Sequence, residues 1–247
     1  MSEPLKLFIY GPARSGTSIS QNVARKVLGL PGRGEGHVFT IYQRIIHQYF
    51  KYTKGFTEKR GALARELSAR AFKLQMIEEI REVYGRVYKS DSFVDKTPGA
   101  EAILATPLVL ETFPDARFMV IKRTGIEVVQ SFQIKFGASF DDACKSWVAC
   151  MQATAKLAEW VPEALVVDQH ELTNAPVEVG KRIAEHVGRP EKAQDIADFF
   201  VNNRTEKSSS HDWSKRLTLD DTSWSEEEKE HFRATCGRAM RSFGYPM

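Results

Sequence analysis

The sequence predicts a three-layer α/β/α fold built around a central parallel sheet. Four short runs rich in β-forming residues have helix-like stretches between them, an alternation typical of parallel α/β proteins. Three of the four runs are mostly apolar without clean alternation, as expected for strands that helices cover on both faces. The chain has 247 residues, 42% of them hydrophobic, which is enough for one such domain. We therefore expect residues 1–247 to form a single domain.

The elements are expected in a regular order along the chain. The predicted strands are residues 5–10, 93–95, 117–122 and 164–168. The predicted helices are residues 18–28, 62–84, 126–135, 140–160, 176–187, 191–201 and 225–243. The fourth helix opens with a variant of the capping box at Ser139 and ends before Pro162. Residues 29–36 are rich in glycine and residues 207–216 are polar, so both are predicted to be loops.

Composition narrows the class of protein. The net charge of +3 suits an anionic small ligand better than a nucleic-acid duplex, for which a denser basic stripe is expected. The three cysteines form no C-x-x-C pair, which favours buried thiols and a reducing compartment. The scattered histidines lack the spacing of metal ligands, so no metal site is expected. Without a signal peptide or a run of about 20 apolar residues, a cytoplasmic protein with no stable membrane insertion is expected.

Residues 11–18 read Gly-Pro-Ala-Arg-Ser-Gly-Thr-Ser and connect the first predicted strand to the first predicted helix. A strand, a glycine turn and a helix start in this order present backbone N–H groups and the positive helix end to one anion. The fold is therefore predicted to be of the P-loop nucleotide-binding type. The two glycines permit the tight turn, the arginine adds a charged fork and the hydroxyls add donors. The predicted ligand-binding residues of this loop are Gly11, Pro12, Ala13, Arg14, Ser15, Gly16, Thr17 and Ser18.

The loop departs from the version that handles ATP. That version reads G-x-x-x-x-G-K-[ST], and Thr17 stands here where the lysine would be. Asp95, a candidate magnesium ligand at a strand end, has the cation Lys96 as its neighbour. Both departures suit a donor whose transferred group is less charged than a phosphoryl group and needs no metal, namely a sulfuryl group. The alternatives are a P-loop kinase of a small molecule and a non-catalytic nucleotide-binding protein.

Two segments resemble the sulfotransferases that use 3′-phosphoadenosine-5′-phosphosulfate (PAPS). Residues 12–18 resemble the family's 5′-phosphosulfate loop, in the P-R-S-G-T form of tyrosylprotein sulfotransferases and many bacterial enzymes. Residues 113–131 resemble its 3′-phosphate segment, a strand that ends at Arg123 and a helix with Ser131 eight positions later. The usual R-D-P-R is replaced by Arg-Thr-Gly-Ile. An arginine at a strand end and a hydroxyl two turns into the next helix can hold one phosphate from two sides.

Further stretches extend the resemblance to residues 5–245. They are the D-K-T-P element at 95–98, the region 167–190, the late loop 207–215 and the Phe-Gly-Tyr at 243–245. The resemblance implies PAPS as co-substrate and a nucleotide-covering loop at 204–222, in which Lys207, Ser208 and Trp213 bind the nucleotide. Residues 36–90 match least, and we expect them to form a helical region that binds the acceptor.

The expected reaction, sulfuryl transfer by in-line displacement, suggests which residues are catalytic. The reaction requires cations and N–H donors at the leaving oxygen and a base near the acceptor proton. The resemblance implies that Arg14 acts on the leaving side, and Lys96 at its strand end is expected to reach the sulfonate oxygens. The base is expected to be Glu35 or His37, with both left open. The acceptor is expected to be a hydroxyl or amine of a small molecule, lipid or carbohydrate.

The stretch that follows His37 carries apolar residues at helical spacing. Val38, Ile41, Ile45 and Tyr49 recur every three or four positions. This pattern predicts a helix whose apolar face is turned toward the core. The aromatic and cationic residues of the same stretch are also suited to line a pocket for a partly apolar or acidic acceptor.

Overall fold

A computed structural model describes residues 3–54, 68–203 and 215–247. Its centre is a five-stranded sheet of order β2-β3-β1-β4-β5, in which every pairing is parallel. The strands are β1 (Lys6–Tyr10), β2 (Gly32–Glu35), β3 (Phe93–Lys96), β4 (Arg117–Lys122) and β5 (Leu165–Asp168). The predicted parallel sheet is confirmed, and four of its strands lie within one residue of their predicted bounds.

Helices connect the strands and cover both faces of the sheet. They are α1 (Thr17–Lys26), α2 (Val38–Lys54), α3 (Ala69–Tyr88), α4 (Ala100–Leu104), α5 (Thr106–Thr112), α6 (Gly125–Phe136), α7 (Phe140–Trp160), α8 (Gln169–Asn174), α9 (Pro176–His186), α10 (Ala193–Asn202) and α11 (Glu226–Ser242). The start of α7 is as predicted, because Ser139 accepts a hydrogen bond from the N–H of Asp142. Within the described residues, no helix combines the length and apolar character that crossing a membrane requires.

Alternation along β1 divides the core between the two faces of the sheet. Phe8 joins a cluster with residues of α3, α4 and α7, whereas Leu7 and Ile9 join a cluster with residues of α1, α9 and α10. A third cluster, around Trp147 and Phe232, packs α6, α7 and α11 together. The three-layer α/β/α class is therefore confirmed. The three cysteines are buried as free thiols, in agreement with the sequence.

The glycine-rich stretch 29–36 is not wholly a loop, and that prediction was wrong. Residues 32–35 form β2, an edge strand that pairs with β3 through Gly32 opposite Val94 and Glu35 opposite Lys96. Glycine is depleted in strands, so the glycine content of this segment is typical of a turn. Its pairing depends on a tertiary neighbour, β3, rather than on local propensity.

The stretch after His37 does form a helix, α2, but the face assigned to the core was right only at its start, where the partly buried Val38 packs against the core. Ile41 and Ile45 are 53% and 43% exposed. The buried residues of α2 are instead Phe39, Thr40 and Ile46. Phe39 sets this orientation, because its ring packs edge-on against Phe8 with the ring centroids 5.6 Å apart.

The predicted helix at 62–84 corresponds to α3, which runs four residues further, to Tyr88. Residues 62–67 of that prediction lie outside the described residues. Two short helices after β3, α4 and α5, and the six-residue α8 after β5 were not anticipated. All three lie directly after strands or turns, where short helices carry too few residues for a periodic signal.

Candidate active site

The loop between β1 and α1 adopts the strained turn that its glycines permit. Gly11, Arg14 and Gly16 all have positive φ angles, of 145°, 71° and 97°. A Cβ on Gly11 would lie 2.1 Å from the carbonyl oxygen of Ile121, so the chain of β4 passes too close for any side chain. Gly16 begins α1 without a side-chain cap, and the first turn holds no acidic residue. The first N–H groups of a helix have no intrahelical acceptor, so this turn directs donors toward the carboxyl edge of the sheet.

Ser15 anchors the loop to the sheet. Its side chain is fully buried, and Oγ donates to the carbonyl oxygen of Ile121 at 2.7 Å. Its N–H donates to the carbonyl oxygen of Pro12 at 3.2 Å. The hydroxyl proton of Ser15 is therefore directed to β4, and Ser15 fixes the turn. Of the other predicted loop hydroxyls, Ser18 is exposed and Thr17 is buried.

The loop is in direct contact with the second predicted phosphate-binding segment. Arg14 Nε donates to Ser131 Oγ at 3.0 Å, across 117 positions of sequence. Arg123 Nη1 donates to the carbonyl oxygen of Arg14, also at 3.0 Å. Arg14, Arg123 and Ser131, which the sequence assigned to two ends of one ligand, thus meet at one place. We call these three residues the arginine–serine junction.

Arg123 is more deeply buried than a solvated strand-end cation. Only 4% of the residue is exposed, and its Nε lies 3.2 Å from the Oε2 of Glu127 in α6. The Thr124 hydroxyl donates to the same carboxylate oxygen at 3.0 Å, and Trp147 Nε1 donates to the Arg123 carbonyl at 3.0 Å. Arg123 therefore also stabilises the loop backbone. Sequence reasoning missed Glu127, although its spacing of four from Arg123 at a helix start is a recognisable pairing signal.

Glu35 and Lys96 face each other at the ends of neighbouring strands. The register pairs the two residues, and Lys96 Nζ lies 2.8 Å from Glu35 Oε1. The lysine side chain is only 7% exposed, whereas the glutamate side chain is 43% exposed. His37 Nε2 lies 3.2 Å from the other carboxylate oxygen. Three of the four predicted catalytic side chains, those of Glu35, His37 and Lys96, therefore form one cluster. We call this cluster the catalytic turn, after the turn at Gly36 that Glu35 and His37 flank.

The catalytic turn keeps its carboxylate ionised. Burial alone would raise the pKa of Glu35, but the hydrogen bond and charge of Lys96, assisted by His37, lower that pKa below its usual value. Glu35 is consequently a carboxylate at neutral pH, as a proton acceptor must be. Its Lys96 partner places a positive charge beside this predicted base.

Asp95 supports the catalytic turn from the opposite face of the sheet. It accepts hydrogen bonds from the hydroxyls of Tyr84 at 2.5 Å and Thr97 at 2.9 Å, and Thr97 Oγ1 in turn accepts from the backbone N–H of His37 at 3.2 Å. A Cβ on Gly36 would lie 2.2 Å from Asp95 Oδ2, so the turn rests directly on this carboxylate. Burial raises the pKa of Asp95 against the lowering effect of its two hydroxyl donors.

The catalytic turn and the loop lie on the same edge of the sheet. Strands β1 and β3 are parallel neighbours in which Ile9 is opposite Lys96, so their carboxyl ends coincide. The N–H of Gly99 donates to the carbonyl oxygen of Gly11 at 2.9 Å, which ties the segment after Lys96 to the start of the loop. Ligands of open α/β sheets bind at this carboxyl edge.

A further charged cluster lies at the carboxyl ends of β4 and β5. The cations Lys122 and Arg216 both lie 3.3 Å from Asp168 Oδ2 and over the ring of Tyr245, at 4.6 and 5.1 Å from its centroid. Arg216 is thereby held in an ion pair. The predicted nucleotide-binding residues Lys207, Ser208 and Trp213 lie outside the described residues. Of the predicted covering loop at 204–222, the structure describes residues 215–222.

Comparison with known proteins gives one family and several similar folds. The family model described as the sulfotransferase family matches residues 4–193. Among curated proteins, no sequence matches the chain. The fold is similar to that of a sulfotransferase domain from the Synechococcus PCC 7002 olefin synthase, with a TM-score of 0.61 and 16% identity over 100% of this chain and 97% of that one.

Two other solved structures show the same likeness. A sulfotransferase domain from the curacin biosynthetic pathway has a TM-score of 0.56 and 16% identity, and each chain is covered completely. The sulfotransferase STF9 from Mycobacterium avium has a TM-score of 0.54 and 13% identity, over 100% of this chain and 79% of that one. At these identities the likeness is one of fold.

Proposed function

The chain belongs to the sulfotransferase family, and we propose that it moves a sulfuryl group from PAPS to a hydroxyl or amine of a small-molecule, lipid or carbohydrate acceptor. The arginine–serine junction carries this proposal. A donor with phosphates at both its 5′ and 3′ positions needs two anion sites close together, and Arg14 joins the helix-start loop to Ser131 at 3.0 Å. The guanidinium groups of Arg14 and Arg123 are suited to such phosphates because they donate in a planar fork.

The proposed reaction is an in-line displacement at sulfur. The acceptor oxygen or nitrogen forms a bond to sulfur while the bond from sulfur to the bridging oxygen breaks, and that oxygen leaves with the nucleotide. In our proposal the loop N–H groups and Arg14 stabilise the negative charge that develops on the leaving oxygen. Lys96 neutralises the sulfonate oxygens, and Glu35 or His37 accepts the acceptor's proton.

The geometry of the catalytic turn favours Glu35 over His37 as the base. Glu35 is in contact with Lys96, the cation proposed to hold the sulfonate, and its pKa is lowered. His37 contacts Glu35 and has a positive φ of 51°, so it also holds the turn. We propose that Glu35 accepts the proton and that His37 positions it.

The kinase alternative needs an acidic side chain that faces the loop to hold magnesium. Asp95, the candidate for that role, instead accepts from Tyr84 and Thr97 beneath the catalytic turn. We therefore propose PAPS, without a metal, as the co-substrate. We also propose that the protein works in a reducing compartment such as the cytoplasm, which the three buried free thiols support.

Transfer of radioactive sulfur tests the proposal directly. Sulfur-labelled PAPS is incubated with a panel of alcohols, phenols, sugars and amines, and labelled products are separated from the donor. We expect label transfer by the wild-type protein, and a loss of about tenfold or more in Arg14→Ala, equivalent to roughly 1.4 kcal/mol of barrier. Arg238→Ala, at an exposed arginine of α11, is the matched control. Full turnover in Arg14→Ala would refute the assignment of Arg14.

A further inference from the structure

A groove with a volume of about 410 Å³ lies between α2 and the pair of short helices α4 and α5. We call it the α2 groove. Its apolar lining comes from Ile46, Phe50, Leu104, Pro107 and Leu108. The volume lies within the range of small-molecule sites in proteins, about 300–1,000 Å³, and predominantly apolar walls are typical of such sites.

The α2 groove lies next to the segments that carry the catalytic turn. Its first wall, α2, begins at Val38, immediately after His37, and its second wall, α4, begins four residues after Lys96. Thr40 lines the groove and also a separate small cavity beneath the catalytic turn, which His37, Asp95 and Thr97 line. An acceptor whose reactive group lies at the catalytic turn therefore has the groove as the adjoining space for the rest of the molecule.

The shape of the groove favours an extended acceptor. Thr40 and Phe50, which both line it, are ten residues apart on α2, a separation of about 15 Å along a helix. Thr40 is at the end next to the catalytic turn, and Phe50 is at the far end. A compact ring bound at the catalytic turn would leave most of this length unused.

The charges on the rim of the groove compensate one another. Arg44 is paired with Glu101 and Lys73 with Glu111, each at 2.5 Å. The amide of Gln43 donates to the carbonyl oxygen of Leu104 at 3.2 Å. These five polar residues have partners within the protein, and the two ion pairs leave no net charge that would select a strongly charged acceptor. His47 and Gln48 also line the groove and are exposed. An apolar chain matches the lining best.

The reacting end of the acceptor is constrained by Lys96. The lysine side chain is 7% exposed and lies 2.8 Å from Glu35. The ion pair leaves Glu35 with one proton to accept. An aliphatic amine is protonated at neutral pH and must lose one proton before it can attack, whereas an alcohol attacks with the loss of its single hydroxyl proton. The cluster therefore favours a hydroxyl as the nucleophile.

We propose that the acceptor is a straight-chain aliphatic alcohol whose hydroxyl lies at the catalytic turn and whose chain lies in the α2 groove. This inference rests on the proposed function. The alcohol oxygen forms the new bond to sulfur, and its proton passes to Glu35. The bond from sulfur to the bridging oxygen breaks, its electron pair stays with the adenosine 3′,5′-bisphosphate, and the product is an alkyl sulfate.

The first experiment compares straight-chain primary alcohols of increasing length with a phenol and a monosaccharide, using sulfur-labelled PAPS. We expect kcat/KM to rise roughly fourfold with each added methylene until the groove is filled, as burial of apolar surface requires. A preference for the sugar or the phenol, or no dependence on chain length, would overturn the inference and leave the proposed sulfotransferase function intact. No transfer to any acceptor together with no binding of the bisphosphate would overturn both.

The second experiment alters the far end of the groove. Phe50 is 37% exposed, so Phe50→Ala is not expected to unfold the protein, and Ile134→Ala, at an 87% exposed position on α6, is the matched control. We expect Phe50→Ala to lower the ratio of kcat/KM for the longest to the shortest alcohol at least about fivefold. The control is expected to keep the wild-type ratio. An unchanged ratio in a folded Phe50→Ala protein would place the chain outside the groove.

Discussion

The two halves of the candidate site are built in different ways. The nucleotide half joins central strands, because the loop follows β1, is bonded to β4 through Ser15 and is held by the deeply buried Arg123. The acceptor half stands on the edge strand β2, and Glu35 is 43% exposed. Under the proposed function, the difference assigns the donor nucleotide to the centre of the sheet. It assigns the acceptor to the edge of the sheet, where a change of side chain disturbs the core least.

The largest effect is expected from a side chain placed on the rigid half. Gly11→Ala puts a Cβ 2.1 Å from the Ile121 carbonyl oxygen at a φ of 145°, so the loop must move away from β4. We expect the affinity for adenosine 3′,5′-bisphosphate to fall at least about hundredfold, roughly 2.8 kcal/mol, in isothermal titration calorimetry. Gly34→Ala, where an added Cβ meets nothing within 4 Å, is the control and is expected to bind normally.

Replacing Lys96, the cation of the acceptor half, is expected to have a smaller effect, which is limited to turnover. Lys96→Met removes the positive charge beside Glu35 and should lower kcat about hundredfold, the usual cost of losing one charge-stabilising donor. The bisphosphate should bind within about threefold of wild type, because Arg14, Arg123 and Ser131 are unchanged. A hundredfold loss of nucleotide affinity instead would assign Lys96 to the nucleotide half.

The catalytic turn itself can be displaced without touching a catalytic side chain. Gly36→Ala sets a Cβ 2.2 Å from the buried Asp95 carboxylate, which shifts Glu35 and His37 relative to Lys96. We expect kcat to fall about tenfold or more, since small misplacements of reacting groups are costly. Gly34→Ala, two residues earlier in the same segment, should keep the wild-type rate. Equal rates in the two variants would show that the position of this turn does not matter.

The smallest effect separates the two candidate bases. Glu35 has a lowered pKa, so the active carboxylate persists at mildly acidic pH, and the rate is lost only as pH falls through that lowered value. His37→Gln removes one of the groups that lower the pKa of Glu35. The acidic limb of the pH–rate profile should therefore move to higher pH, with the plateau within about threefold of wild type. If His37 is the base, the plateau itself falls about hundredfold.

The sequence predicts the nucleotide half of the site better than it predicts the acceptor half. The loop, Arg123 and Ser131 were identified because a strand, a glycine turn and a helix start form a local pattern, and one spacing links the other two residues. The pairing of Glu35 with Lys96 was not predicted, because it arises from the register of β2 on β3, residues 61 positions apart. The contacts by which Asp95 and Tyr84 support the turn were not predicted either, because they also join distant parts of the sequence.

The periodic spacing of apolar residues did not predict which face of α2 lines the groove. The sequence indicated a helix after His37, but the spacing of apolar residues selected the face that carries Ile41 and Ile45, which is exposed. The true orientation depends on the contact of Phe39 with Phe8 and on two short helices after β3. Nothing local in residues 38–54 specifies these partners, so the face that lines the groove required the structure.

Calorimetry with two nucleotides tests the central claim, which is that Arg14, Arg123 and Ser131 hold both phosphate-bearing ends of one adenosine nucleotide. Adenosine 3′,5′-bisphosphate is titrated into the protein, and ATP with magnesium into a second sample. We expect the bisphosphate to bind with measurable heat, to lose about tenfold or more in affinity in Arg14→Ala, and to bind far more tightly than ATP with magnesium. Tight binding of ATP with magnesium and no heat with the bisphosphate would contradict the account.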